Sequence, residues 1–209
     1  MPCIKEAFGR MPDGELVHKY TLKNRNGLTA GFLDLGAVWQ SMLVPDRSGN
    51  FADVVLGYDS AECYLASDAH LGEIIGRNAN RIGGGHFELN GRTYTLTINN
   101  GPNNLHSGND FYRNRLWKAR AWEQENESSV CFTLESPDGD QGFPGNLNIS
   151  VTYTLNDQDE LHICYRGISD ADTVMNMTNH AYFNLAGHQT GDAMGQWVFL
   201  NAEQFTPAD

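Results

Sequence analysis

Three short stretches of the sequence combine residue types that can bind hydroxyl groups and move protons. They are residues 76–85 (GRNANRIGGG), residues 99–108 (NNGPNNLHSG) and residues 177–187 (MTNHAYFNLAG). Arginine presents five N–H donors in a rigid fork, and each asparagine amide both donates and accepts hydrogen bonds. The three stretches therefore predict polar loops suited to a ligand rich in hydroxyl groups.

Two histidines in these stretches are candidates for proton transfer, because imidazole titrates near neutral pH. His106 follows four asparagines, and His180 stands among apolar and aromatic residues that include Tyr182 and Phe183. A structural or surface role is the alternative for each histidine, and simple packing is the alternative for the two aromatic residues. The remaining histidines lack such a context and are assigned structural or surface roles: His18, His70, His86, His162 and His188.

Other site types are not indicated by the spacing of the residues. Arg77 and Arg81 also fit a solvated loop in which they pair with local acids such as Glu73. A phosphate loop is disfavoured, because the glycines match neither GxGxxG nor GxxxxGK[ST]. The sequence contains no HxH, HExxH or GxSxG motif, so neither a metal site nor a Ser-His-Asp triad is expected.

Composition and charge limit the partners and the compartment. The chain has 209 residues, of which 40% are hydrophobic and 19% charged, as in ordinary globular proteins. A net charge of −12 disfavours nucleic acid and anionic membranes as partners, and no stretch approaches the roughly 20 apolar residues of a membrane helix. The four cysteines lie far apart and the first residues lack the order of a signal peptide, so free thiols and a cytoplasmic location are expected.

The elements that position these loops are predicted to be mostly strands. The clearest hairpin is 87–98, where Asn90-Gly91 separates two alternating runs and favours a type I′ turn. A second hairpin is predicted to join 147–155 to 161–168. Ser60 is predicted to cap one helical turn, with Cys63 and Tyr64 packing back. Further strands are predicted at 31–44, 54–56, 130–134 and 197–200.

Many strands, glycine-rich turns and little helix favour an all-β sandwich or barrel. No linker, repeat or shift in charge divides the chain. We therefore expect one domain over residues 1–209.

The three stretches and the hairpin between the first two together resemble the aldose 1-epimerase family, the galactose mutarotases. The matching motifs are, in order, GRNANRI, GGGHFELNGRTYTL, NNGPNNLHSG and TNHAYFNLAGH, and weaker similarity runs from about Gly27 to the last residues. The resemblance implies a large antiparallel β-sandwich that binds a free hexose, such as galactose or glucose, in an open groove across one sheet. It implies no cofactor, and it leaves the oligomeric state open.

The resemblance also implies roles for single residues. Asn80 and Arg81 correspond to a pair that hydrogen-bonds sugar hydroxyls, and His106 to a histidine that contacts the sugar near its ring oxygen. His180 corresponds to the general acid that protonates the ring oxygen, and Tyr182 lies in the segment that lines the sugar site. In the family's reaction a base removes the proton of the anomeric hydroxyl, the ring opens, the C1–C2 bond rotates, and closure gives the other anomer.

Two further residues of the family have no matching position in residues 1–209: a sugar-binding aspartate and the glutamate base near the C-terminus. Residues 205–209 resemble the middle of a family member. We therefore expect an N-terminal portion of an incomplete sandwich, with impaired epimerase activity and with unpaired strand edges that favour association. The alternative is a carbohydrate-binding remnant without catalysis.

Two other functions rank lower. A relative acting on hexose 6-phosphate would need basic residues near the groove, for which Arg77, Arg113 and Arg115 are available. A glycoside hydrolase would need a pair of carboxylates that the sequence does not let us assign.

Overall fold

The structure, a computed structural model, describes residues 3–205, and almost all of its regular structure is antiparallel β. Residues 206–209, part of the predicted match to the middle of a family member, lie outside the described residues. No helix among the described residues has the length and apolar character needed to cross a membrane. The elements in chain order are β1 (Ile4–Arg10), β2 (Leu16–Lys23), β3 (Thr29–Leu33), β4 (Trp39–Pro45), β5 (Phe51–Asp53), α1 (Ala61–Ala66), β6 (Ile74–Ile75), β7 (Arg81–Ile82), β8 (His86–Leu89), β9 (Arg92–Thr95), β10 (Asn104–Leu105), β11 (Lys118–Gln124), β12 (Glu127–Ser136), β13 (Leu147–Asn156), β14 (Leu161–Ser169) and β15 (Thr178–Asn179).

Two sheets carry the fold. Strands β1 to β5 form a five-stranded sheet in sequence order, and β11 to β14 form a four-stranded sheet, also in sequence order. In β13 every second residue from Leu147 to Leu155 is buried, and the residues between them are exposed or half-buried. This two-residue period is expected of a strand that has one face on the core.

The two sheets pack face to face through aromatic side chains. Tyr20 of β2 meets Phe132 of β12 edge to face, with ring centroids 5.6 Å apart, and Phe32 of β3 stacks on Tyr153 of β13 at 4.3 Å. The hydroxyl of Tyr153 donates to the carbonyl of Ala37 at 2.8 Å, so its polar atom is satisfied inside the core. The predicted β-sandwich is confirmed.

Both predicted hairpins are present. β8 and β9 pair across Asn90-Gly91, whose φ values of 53° and 73° are the positive values that a type I′ turn requires. This hairpin is shorter than predicted, because the strand ends at Thr95 and Leu96 turns into the core. β13 and β14 pair antiparallel along the second predicted hairpin.

The range 31–44 is two strands and not one. Gly36 and Ala37 both have left-handed backbone, with φ of 65° and 47°, and form a turn between β3 and β4. The strand predicted at 54–56 is also wrong: Val55 makes a single isolated bridge to Phe183.

Residues 197–200, predicted as a strand, have no regular structure. Trp197 is fully exposed, and no strand among the described residues pairs with this segment. An apolar run becomes a strand only when a neighbouring strand supplies hydrogen-bond partners.

The predicted helical turn is α1, which extends to Ala66. Ser60 caps it, because its Oγ accepts a hydrogen bond from the main-chain N–H of Cys63 at 3.3 Å. Tyr64 packs into a small apolar cluster with Val17 and Leu33, whereas Cys63 is exposed and does not pack back as predicted. All four cysteines are free thiols, as expected.

Candidate active site

Two pairs of very short strands bring the three polar stretches together. β7 pairs with β10, which places Arg81 opposite Leu105 and fixes the second stretch beside the first. β6 pairs with β15, which places Ile74 opposite Asn179 and brings in the third stretch. His106 and His180 each follow directly on one of these strands, so strand pairing determines where both histidines lie.

His106 is fixed by two hydrogen bonds with Asn80. Its main-chain N–H donates to the Asn80 carbonyl at 3.0 Å, and the Asn80 N–H donates to His106 Nδ1 at 3.1 Å. Both residues have left-handed backbone, with φ of 53° and 61°, a conformation in which asparagine and histidine are enriched. Because Nδ1 accepts an N–H, the proton of the neutral ring is on Nε2.

The surroundings of His106 keep its ring neutral. Partial burial, followed by the positive charges of His70, His180 and Arg81, lowers the pKa of His106 to about 4. At neutral pH the ring is therefore not a cation, and it can donate a hydrogen bond from Nε2.

Three imidazole rings are in mutual contact, and the phenol ring of Tyr182 contacts one of them, that of His180. We call these four residues the histidine cluster: His70, His106, His180 and Tyr182. The distances between ring centroids are 5.2 Å for His70–His106, 5.6 Å for His70–His180, 5.3 Å for His106–His180 and 5.2 Å for His180–Tyr182. The three histidines are half-buried, whereas Tyr182 is 43% exposed. The cluster thus contains several groups that can transfer protons, and one side of it is open to solvent.

Arg81 lies at the rim of the cluster. Its Nε donates to Asn100 Oδ1 at 2.9 Å, and its Nη1 donates to Asn80 Oδ1 at 3.1 Å. Arg81 and Asn80 are exposed, and the two amides orient the guanidinium next to His106. The structure thus brings together all five residues that the sequence singles out: Asn80, Arg81, His106, His180 and Tyr182.

Arg77 does not belong to this site, although it lies in the same stretch. Its side chain is fully buried. Its guanidinium donates to Ser136 Oγ, to Thr173 Oγ1 and to the carbonyls of Ser136, Pro137, Pro144 and Gly145. Residues 76–85 are therefore not in their entirety the ligand-binding polar loop that the sequence predicts, because Arg77 stabilises the connection between β12 and β13. Its suggested pairing with Glu73 is wrong.

The other two arginines of the hexose-phosphate alternative are also engaged within the protein. Arg113 donates to Asp68 at 2.9 Å, and Arg115 donates to both carboxylate oxygens of Asp140 at 2.8 Å. Since these guanidinium groups and that of Arg77 are held by protein acceptors, the geometry does not favour a phosphate group as ligand.

His70 is the residue of the cluster that the sequence analysis missed. Its Nδ1 lies 2.6 Å from Glu73 Oε1, and its ring meets Phe111 edge to face at 5.1 Å. The one local signal was an acid three residues after a histidine. The contacts with His106 and His180 come from strand pairing and leave no trace in the sequence near His70.

The cluster is not built to hold a metal ion. No group of three or more His, Cys, Asp or Glu side chains within residues 3–205 has a suitable arrangement. A metal bound at His106 Nε2 would require the ring proton on Nδ1, where the Asn80 N–H already donates.

A surface hollow of about 500 Å³ is lined mainly by residues of the four-stranded sheet, among them Lys118, Glu135 and Arg166, and by no residue of the histidine cluster. Lys118 and Glu135 pair with each other at 3.3 Å. We take the histidine cluster as the candidate site, because it and not the hollow brings proton-transfer groups into contact.

Comparison with known sequences gives matches over almost the whole chain. The sequence model of the aldose 1-epimerase family matches residues 18–209. The chain is 42% identical to the aldose 1-epimerase of Haemophilus influenzae over 207 residues, which cover 99% of this chain and 59% of that protein. It is 40% identical to the galactose mutarotase of Bos taurus over 206 residues, which cover 98% of this chain and 58% of that protein.

The fold also resembles that of a solved structure of the same family. The crystal structure of galactose 1-epimerase from Lactobacillus acidophilus NCFM matches with a TM-score of 0.80 at 29% identity, over 88% of this chain and 54% of that one. The chain therefore spans less than two thirds of the length of these relatives.

Proposed function

Because the chain belongs to the aldose 1-epimerase family, we propose that the histidine cluster binds a free hexose and takes part in the exchange of its α and β anomers. The observation that carries the proposal is the contact between His106 and His180, 5.3 Å between centroids, beside the exposed Asn80 and Arg81. A pyranose presents one ring oxygen and a row of hydroxyl groups. The site offers proton-transfer groups for the first and amide and guanidinium donors for the second.

In this proposal His180 is the general acid. The anomeric hydroxyl loses its proton to a base, its electron pair forms the C1 carbonyl, and the C1–O5 bond breaks as O5 takes the proton of His180. After rotation about C1–C2 the steps reverse and return both protons, so the reaction needs no cofactor. His106 donates from Nε2 to the sugar near O5, since its neutral ring carries the proton on that atom.

Asn80, Arg81 and Tyr182 bind the rest of the sugar. The guanidinium of Arg81 and the amide of Asn80 hydrogen-bond hydroxyl groups and so fix the orientation of the ring. Tyr182 presents an exposed aromatic face beside His180, which packs on the apolar face of the sugar. Galactose and glucose are the substrates that we propose.

A carbohydrate-binding protein without catalysis is the second candidate, and one observation favours it. Glu73, the carboxylate in contact with the cluster, is engaged by His70. Among the described residues we therefore assign no base for the anomeric hydroxyl.

The location and the domain organisation are further parts of the proposal. Four free thiols, two of them exposed, fit a reducing compartment such as the cytoplasm. One domain over residues 1–209 fits the core that both sheets share.

The test is NMR magnetisation exchange between the anomers of galactose, and separately of glucose, at neutral pH in weak buffer. We expect line broadening on binding and exchange above the buffer rate, reduced by about 100-fold or more in His180→Ala. His162→Ala is the matched control, because this histidine is 61% exposed on β14. Binding without exchange would select the second candidate, and neither binding nor exchange would refute both.

A further inference from the structure

We propose that His70 and Glu73 form a positioning pair that fixes the ring of His180 and the protonation of His106. The inference rests on the proposed function and extends it to two residues that the family resemblance gives no role. The ring of His70 contacts both other imidazoles, at 5.2 and 5.6 Å between centroids. On its other side its Nδ1 lies 2.6 Å from Glu73 Oε1. His70 thus connects a buried carboxylate to both candidate proton-transfer residues.

Glu73 holds two histidines at once. Its carboxylate binds the His70 ring, and its main-chain carbonyl accepts the main-chain N–H of His180 at 2.9 Å. The side chain of Glu73 is 3% exposed, and a buried carboxylate is costly unless it is paired. Its second oxygen lies 3.9 Å from Arg113 Nε, and Arg113 is itself anchored to the carbonyl of Ser67. The pair cannot separate without leaving a buried charge unmatched.

This arrangement places the ring of His70 between a buried carboxylate and a second imidazole. A positive charge on His70 is balanced by Glu73 and opposes a positive charge on His106. The lowered pKa of His106 agrees, with burial as the larger cause and the charge of His70 as the next. His106 is thereby kept as a neutral donor.

The titratable and charged groups that face His70 are Glu73, His106, His180 and, across Phe111, Arg113 with its partner Asp68.

Two substitutions separate this role from simple packing. His70→Phe keeps an aromatic ring against Phe111 but removes the charge. His70→Gln also removes the charge, while its amide N–H can still donate to Glu73, so the buried carboxylate is not left without a partner. His162→Phe, at an exposed position on β14, is the control.

The experiment follows the ring nitrogens of His106 by NMR across a pH titration of the full chain. In both His70 variants we expect the titration midpoint of His106 to rise by about half a pH unit or more, because the opposing charge is gone. The control is expected to match the wild-type chain. An unchanged midpoint in His70→Gln, with an amide spectrum like that of the wild-type chain, would overturn the inference.

The titration uses no sugar, so the two proposals can fail separately. If the His106 midpoint shifts but the chain binds no hexose, the proposed function is wrong and the role of His70 and Glu73 still holds. If the chain does exchange anomers, the acid limb of its pH–rate profile is expected to move to higher pH in His70→Gln. A structural role for His70 would lower the rate without moving this limb.

Discussion

The main-chain N–H of Asn80 donates to Nδ1 of His106 across 3.1 Å and thereby selects the tautomer of that ring. The donor belongs to the backbone, and its direction follows from the left-handed φ of 61° at Asn80. A ligand therefore meets a histidine whose donor atom is fixed before it binds, which lowers the cost of ordering the site.

Asn80→Gly tests this relationship, because glycine keeps the N–H and tolerates a positive φ. We expect His106 to remain protonated on Nε2 and to keep its titration midpoint at about 4, while hexose binding weakens through loss of the side-chain amide. Ring-nitrogen NMR reports the tautomer, and a sugar titration reports the affinity. A ring protonated on Nδ1 in either protein would contradict the assignment.

Arg81→Lys is expected to lower the affinity for galactose by about tenfold, since lysine cannot present the planar fork that Asn80 and Asn100 orient. Calorimetry or NMR titration measures the change. Arg120→Lys, at an exposed position of β11, is the matched control and should bind as the wild-type chain does. Equal affinity in both variants would remove Arg81 from the proposed site.

Arg77→Met is expected to lower the free energy of unfolding by roughly 3–5 kcal/mol, because it strips donors from buried carbonyls at the corner between β12 and β13. Urea unfolding followed by tryptophan fluorescence measures the loss. Arg120→Met should change stability little. A loss in Arg77→Met no larger than in the control would show that the corner does not depend on this guanidinium.

Asp140 makes part of the stability depend on pH. Burial alone would raise the pKa of Asp140, but the hydrogen bonds from Arg115 and Ser136 outweigh it and hold this pKa below its ordinary value. A carboxyl with a lowered folded pKa contributes stability that is full above its unfolded pKa of about 3.9 and is lost as the pH falls through the folded value.

We therefore expect the stability difference between the wild-type chain and Asp140→Asn to be about 1–3 kcal/mol at neutral pH and to shrink below about pH 4. Other carboxylates and His106 titrate in both proteins, so the difference isolates Asp140. Urea unfolding at a series of pH values gives the curve. A difference that stays constant down to pH 3 would refute the prediction.

Gly91→Ala is expected to cost about 1–2 kcal/mol of stability, because its φ of 73° is left-handed and the added Cβ would meet open space, so backbone strain alone is measured. Gly83→Ala is the control: its Cβ would also meet open space, but its φ is not positive. Thermal unfolding compares the two variants. Equal costs would mean that the turn is not maintained as the type I′ form.

The features that the sequence predicted well are those with local causes. The β8–β9 hairpin follows from Asn90-Gly91, and the alternation along β13 shows which face is buried. The convergence of His106 and His180 was predicted through family resemblance. The roles of residues whose surroundings come from distant segments of the chain could not be predicted from the local sequence.

Arg77 and His70 illustrate that limit. Arg77 lies in a stretch that the sequence assigns to ligand binding, yet its acceptors lie 59 to 96 residues further along the chain. His70 has a local partner in Glu73, but the rings that give it a role belong to two other stretches.

The two central strand pairs have a consequence for how the protein is made. The side chain of Asn179 reaches the carbonyl of Gly72, 107 positions earlier, and this contact places His180 beside His106. Closing so long a loop is slow and is rewarded only once the distant partner is present. A ribosome must therefore release the chain beyond His180 before the histidine cluster can exist. Hexose binding at this site would then begin only after all three polar stretches have emerged.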